Sequence, residues 1–254
     1  MVRSNVSPGE AIDTKYVIAR QLGQGGMGAV YEARHAGTGL RAPAPPRSAS
    51  GSGFFNLPND GDNFMGTHRA IPKTKPLPGA ATSTDMTALL NGFRTGPTSN
   101  DGMRQEHTPP LSEAPDCDRS PEESHKITIE GWVILATKET DNDFHMIVST
   151  VPDPGDPADG WLLMDAEVSG LPPDGTAGRA QLVSARKQFR DYFVPTVPDA
   201  TGRGYVALTP VHVRLTGSMF FDMDHKPGVV GPKNFKPATS WEIHPVTDLE
   251  VLDH

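Results

Sequence analysis

The sequence predicts a mainly β fold with one helix, held in residues 125-254 and preceded by a long segment without a fold of its own. Two observations carry this. From His125 onward, apolar residues recur in alternating runs bounded by Pro, Asp and Gly clusters. Between Arg41 and Ser124, by contrast, 84 residues contain 12 Pro, 8 Gly and only 10 Leu, Ile, Val or Phe. That aliphatic and Phe content is about 12%, under the roughly 20% that marks chains unable to bury a core.

Taken in order, Lys126 to Glu139 alternates as a first strand with a bend at Gly131, and Asp141-Asn142 makes a turn into a second, Phe144 to Val151. A Pro/Asp/Gly loop leads to a third strand, Trp161 to Val168. Ala180 to Phe193 reads as a helix because Leu182, Val183, Ala185, Phe189 and Phe193 fall at helical spacings between basic residues. Val206 to Phe221 and Trp241 to Leu252 give the last two strands. The order β-β-β-α-β-β is that of an OB-fold, a five-stranded Greek-key barrel with its helix between strands three and four. The run Trp241-Glu242-Ile243-His244-Pro245-Val246 resembles the closing strand of small bacterial OB-like barrel domains.

Residues 1-40 have a different character. Tyr16 to Leu22 and Ala29 to Arg34 read as two strands joined by a glycine cluster. Within it, Gly23, Gly25 and Gly28 with Val30 satisfy Gly-x-Gly-x-x-Gly-x-Val between two strands, where a dinucleotide-binding fold needs a helix after the third glycine. With its flanks, the stretch 14-41 resembles the glycine-rich loop hairpin of bacterial serine/threonine protein kinases. The resemblance implies ATP as cofactor, with glycine amides on the phosphates and Val30 against the adenine. The rest of the family's machinery is missing. Leu40-Arg41-Ala42-Pro43-Ala44-Pro45-Pro46 stands where a Val-Ala-x-Lys strand belongs, His68-Arg69-Ala70 lacks the catalytic Asp, and there is no Asp-Phe-Gly. The division expected is therefore a kinase-like fragment (1-40), a disordered Pro/Gly-rich linker (41-124) and an OB-like barrel (125-254).

The 254-residue chain carries 23 Lys and Arg against 31 Asp and Glu, a net charge of -8, which disfavours gripping nucleic acid through bulk positive charge. A single cysteine, Cys117, excludes an intramolecular disulfide and a Cys-rich zinc site. No apolar run approaches the roughly 20 residues that span a bilayer, and Met1-Val2-Arg3-Ser4 opens no signal-peptide core, so no membrane partner and a cytoplasmic location are expected.

Within the barrel, Asp143 and His145, Asp222 and His225, and Glu242 and His244 each set a carboxylate beside an imidazole, with His125 and His212 elsewhere. His145, His225 and His244 are the candidate ligands for zinc or manganese, although no His-Glu-x-x-His or similar signature frames them. No activated nucleophile is evident, and no catalytic residue is assigned. The long loop between the last two strands contributes Lys226, Lys233, Phe235 and Lys236, which with Arg214 form a candidate ligand surface. Residues 125-254 hold 11 Lys and Arg against 18 Asp and Glu, so this surface favours a protein partner over single-stranded nucleic acid. The leading expectation is a non-catalytic OB-like ligand- or protein-binding domain fused to a vestigial kinase loop. The alternatives are a truncated kinase homologue with residual ATP binding and a metal-dependent phosphodiester hydrolase.

Overall fold

The computed structural model describes the backbone of residues 11–12, 16–25, 28–35 and 41–42, and residues 62–66, 68–114, 116–153, 162–196, 205–225, 231–232 and 235–252 with side chains except that of residue 196. The chain divides into two compact units, Met1–Ser48 and Ala49–His254.

In the first unit β1 (Ala11–Ile12), β2 (Tyr16–Gly25), β3 (Gly28–His35) and β4 (Arg41–Ala42) form one antiparallel sheet in that order. The expected hairpin is present: Gly23 lies opposite Val30 and Gly25 opposite Gly28, so the glycine cluster sits at its tip.

The second unit contains α1 (Ala70–Thr74), β5 (Thr82–Ser83), α2 (Met86–Gly92), β6 (Lys126–Lys138), β7 (Phe144–Ser149), β8 (Leu163–Val168), α3 (Arg179–Thr196), β9 (Val206–Phe221) and β10 (Trp241–Val251). A π-helical turn at Gly102–Glu106 and a 3-10 turn at Pro121–Glu123 lie ahead of β6. From Lys126 on, the order matches the expected one to within a few residues at each end. The sheet is mixed and six-stranded, β5-β6-β7-β8-β10-β9, where five strands were expected. The extra one is β5, two residues that pair parallel to the start of β6. β8 and β10 also run parallel, and β6 pairs with β9, so the pairings of the five long strands close on themselves.

Alternation explains the core. Ile127 and Ile129, Met146 and Val148, Met164 and Ala166, Val213 and Leu215, and Trp241 and Ile243 all enter one buried cluster. Ala185, Phe189 and Phe193 of α3, at helical spacing, pack into it, with Phe189 stacked on Phe144 at 4.5 Å. Gly131 is needed in β6 because a Cβ there would lie 2.7 Å from Val148 and 3.2 Å from the Met86 sulfur.

The expectation that 41-124 has no fold is corrected for its described part. Met86, Leu90 and Met103 are buried in the same cluster as the strands, and Asp85 caps α2 by accepting from the Ala88 N–H at 2.7 Å. The segment is poor in apolar residues because it shares the sheet's core. Its compact unit accordingly begins at Ala49 and not at residue 125. Residues 43–61 lie outside the described residues.

Candidate metal centre

A strand with one face in a core usually turns the other toward water. Here the second faces of β7, β8 and β10 are buried as well, and beside the apolar Ile147 and Leu163 they carry a polar group. Facing away from the core are His145 on β7, Asp165 and Glu167 on β8, and Glu242 and His244 on β10, each at most 3% exposed. The register brings them together, because His145 is paired with Glu167 across β7 and β8, and Asp165 with Glu242 across β8 and β10. The turn between β6 and β7 adds Glu139 and Asp143, its backbone reversed at Asn142 with φ of 76°. The end of β9 adds Asp222 and His225.

The segment ahead of the sheet holds this arrangement in place. Lys73 of α1 lies 3.2 Å from an Asp222 oxygen. Arg104 donates to the carbonyls of Asp222 and Met223 at 2.8 Å and of His225 at 2.5 Å, fixing the turn that carries His225. Arg119 donates to the His244 carbonyl at 2.7 Å. These arginines are absorbed by backbone carbonyls, so they position the carboxylates and imidazoles without neutralising them.

His145 has Nδ1 at 3.1 Å from Glu139 and 3.3 Å from Glu167, and Nε2 at 2.9 Å from Asp165. His244 has Nδ1 at 2.9 Å from Glu242 and 3.2 Å from Glu167, and Nε2 at 3.2 Å from Asp143. His225 has Nδ1 at 3.3 Å from Asp222 and 3.9 Å from Glu242. Three overlapping donor groups result: Glu139, His145 and Glu167; Asp143, Glu167 and His244; and Glu167, Asp222, His225 and Glu242.

Hydrogen bonding accounts for only half of each imidazole. Nδ1 of His145 bonds Glu139 and Nδ1 of His244 bonds Glu242. Both Nε2 atoms, together with Asp143 Oδ2, Asp165 Oδ1, Glu167 Oε1 and His225 Nδ1, are buried without a hydrogen bond despite their close neighbours. A ring with one nitrogen tied to a carboxylate and the other aimed at further oxygen donors is the usual environment of a metal-bound histidine.

The electrostatics agree. Burial alone would depress the His145 imidazole, yet the Asp165 and Glu167 charges hold its pKa well above the ordinary value. His225 is opposed by burial in the same way and is nonetheless raised to about 9 by Glu242 and Asp222. Burial, followed by the Glu242 charge, pushes Glu167 well above the usual carboxylate range, and burial raises Asp165. The site thus calls for positive charge. A divalent ion would supply it and would compete with protons for the imidazoles.

All three candidate histidines are brought together, and His225 and Glu139 form the wetter edge, with side chains 25% and 31% exposed. His125 is exposed and His212 stacks on Trp132 at 4.4 Å, so neither joins them. Of the candidate ligand surface, Arg214, Phe235 and Lys236 are described with side chains. Arg214 lies mid-β9, opposite Glu130 and Glu250, and forms ion pairs with both, at 2.8 and 2.5 Å. Phe235 is half-buried and packs against the cluster of Ile134, Leu135, Ile147 and Leu163, while Lys236 is exposed. Lys226 and Lys233 lie outside the described residues, and of Gly23, Gly25, Gly28 and Val30 only the backbone is described.

Glu139, Asp165, Glu167 and Lys73 escaped the sequence reading. Its one available signal was Leu-Met-Asp-Ala-Glu-Val at 163–168, where two acids alternate with apolar residues in the middle strand of the sheet. Comparison with protein-family models, curated proteins and solved structures finds no match.

Proposed function

We propose that this chain is a metalloprotein of the hydrolase class: an OB-like barrel whose outer face binds a divalent transition metal and cleaves a small phosphate ester or diester. One observation carries the reading, the set of buried imidazole and carboxylate atoms that converge without hydrogen bonds around Glu167. Nitrogen and oxygen donors without thiolate suit zinc, manganese or iron. Glu167 together with Asp143 and His244, with Glu139 and His145, or with Asp222, His225 and Glu242 would hold metal, which would supply Lewis acidity toward water or a phosphoryl oxygen. The chain's own residues then have separable tasks. Glu139 and Glu242 orient the His145 and His244 rings, Lys73 balances Asp222, and Arg104 fixes the turn that carries His225 to the wetter edge. The acidic surroundings favour a small substrate over a long polyanion.

The OB-like reading is supported by the strand order, by the parallel β8–β10 pair and by the β6–β9 pairing that joins first and fourth long strands. We read the N-terminal hairpin as a kinase-like glycine loop without phosphotransfer chemistry, because the lysine, catalytic Asp and magnesium ligand of the family pattern have no counterpart in the sequence.

The test is to strip the full chain of metal, reload it with zinc or manganese, and assay bis(p-nitrophenyl) phosphate. Metal-dependent turnover that is lost in His225→Gln supports the proposal. Metal uptake without turnover on this or a monoester substrate would overturn the hydrolase assignment and leave metal binding standing.

A further inference from the structure

The ligand groups do not describe one coordination sphere. They describe separate spheres that share a residue. Glu167 belongs to all three donor groups, and it sits on β8, with β7 on one side and β10 on the other. Its two oxygens face different histidines: Oε1 lies 3.3 Å from His145 and Oε2 lies 3.2 Å from His244.

The two sides differ in character. On the Oε2 side, Asp143, Glu167 and His244 are all at most 1% exposed. The His145 ring, beside Oε1, lies 5.8 Å from that of His225, whose side chain reaches solvent and which groups with Glu167, Asp222 and Glu242. Charge points the same way. Asp143, Asp165, Glu167, Asp222 and Glu242 are buried, with Glu139 beside them, and Lys73 is the permanent cation paired with this set among the described residues. Six carboxylates against one permanent cation leave room for the charge of more than one dication in a buried group.

We propose that the centre holds two divalent ions bridged by the Glu167 carboxylate, one enclosed by Asp143 and His244 and one solvent-facing between Asp222, His225 and Glu242. This rests on the metalloprotein reading above and deepens it, since a pair of ions a few ångströms apart is the arrangement that clamps both oxygens of an in-line phosphoryl displacement.

The experiment is to saturate the metal-free full chain with manganese, remove excess by desalting, and measure metal per chain by mass spectrometry alongside the low-temperature electron paramagnetic resonance spectrum. The expected result is two ions per chain with an exchange-coupled signal. His225→Gln and His244→Gln should each retain one ion and lose the coupling. Saturation of the folded wild-type chain at one ion, or two ions that show no coupling, would overturn the two-ion proposal while leaving the metalloprotein reading intact. Complete absence of bound metal would overturn both. If a histidine variant does not fold, the wild-type stoichiometry and spectrum decide the matter alone.

Discussion

Arg69 grips Glu123 through two parallel hydrogen bonds, Nη1 to Oε1 and Nη2 to Oε2, both at 2.7 Å, with side chains 3% and 0% exposed. The same carboxylate accepts from the backbone N–H groups of Phe221 at 2.9 Å and Ser120 at 2.7 Å. Arg69 also donates to the Phe221 carbonyl at 3.0 Å. The pair therefore fastens residues ahead of β6 to the end of β9, next to Asp222.

Glu123→Ala should be among the most damaging single substitutions in the second unit. It leaves the Arg69 guanidinium and two backbone N–H groups buried without their acceptor, which costs about 3–5 kcal/mol for the ion pair alone. Urea unfolding checks this. The double substitution Arg69→Met with Glu123→Leu should recover part of the loss, because neither charge is then stranded. A loss under about 1 kcal/mol in Glu123→Ala would mean that the segment is not fastened in this way.

This contact also shows why part of the fold was illegible. β6 to β10 and α3 were readable because their alternation and helical spacing are local properties of the chain. Residues 62–124 were not, because their stability comes from a few core residues such as Met103 and from arginines that donate to distant carbonyls, Arg104 to residues 222–225 and Arg119 to His244. Composition counts such residues as disorder-promoting. The site shows a similar split. Carboxylate and imidazole two or three positions apart exposed His145, His225 and His244, whereas Asp165 and Glu167 resemble the wet face of an ordinary strand. That face is dry in the fold because distant residues cover it, Lys73 against Asp222 and Phe235 against Ile147 and Leu163 among them.

Asp141 gives a pH dependence with a definite sign. Burial, reinforced by the Asp143 and Glu139 charges, raises its carboxyl to about 6 from the ordinary 3.8. The folded metal-free chain then holds a proton between those values that the unfolded chain releases. Stability from this group is present below about pH 4 and is lost as pH rises through 6. Asp141→Asn should accordingly stabilise the metal-free chain at pH 7 by about 1–3 kcal/mol and change it little at pH 4. Thermal melts at the two pH values read this directly, and equal shifts at both would refute it.

Arg214 should prove dispensable. Its partners Glu130 and Glu250 are about half exposed, and surface ion pairs of this kind contribute little and are screened by salt. Arg214→Ala should leave metal stoichiometry unchanged and lower the melting temperature slightly at low salt, with no difference at 1 M salt. Loss of metal or of partner capture in this variant would restore Arg214 to a binding surface.

Lys73 separates the metal-free from the loaded state. Its amine lies 3.2 Å from Asp222, and although burial works against the charge, Asp222, Glu167 and Glu242 hold its pKa well above the ordinary value. Lys73→Met removes that charge and leaves Asp222 buried among other carboxylates, so the metal-free chain should lose about 3–5 kcal/mol. A bound dication would compensate the same carboxylates. The penalty should therefore shrink when zinc or manganese is present, and the metal-induced rise in melting temperature should be larger in Lys73→Met than in the wild type. Melting each protein with chelator and with excess metal completes the comparison. A penalty of equal size in both states would show that metal does not sit among Asp222, Glu167 and Glu242, because an ion there must act on the charges that Lys73 faces.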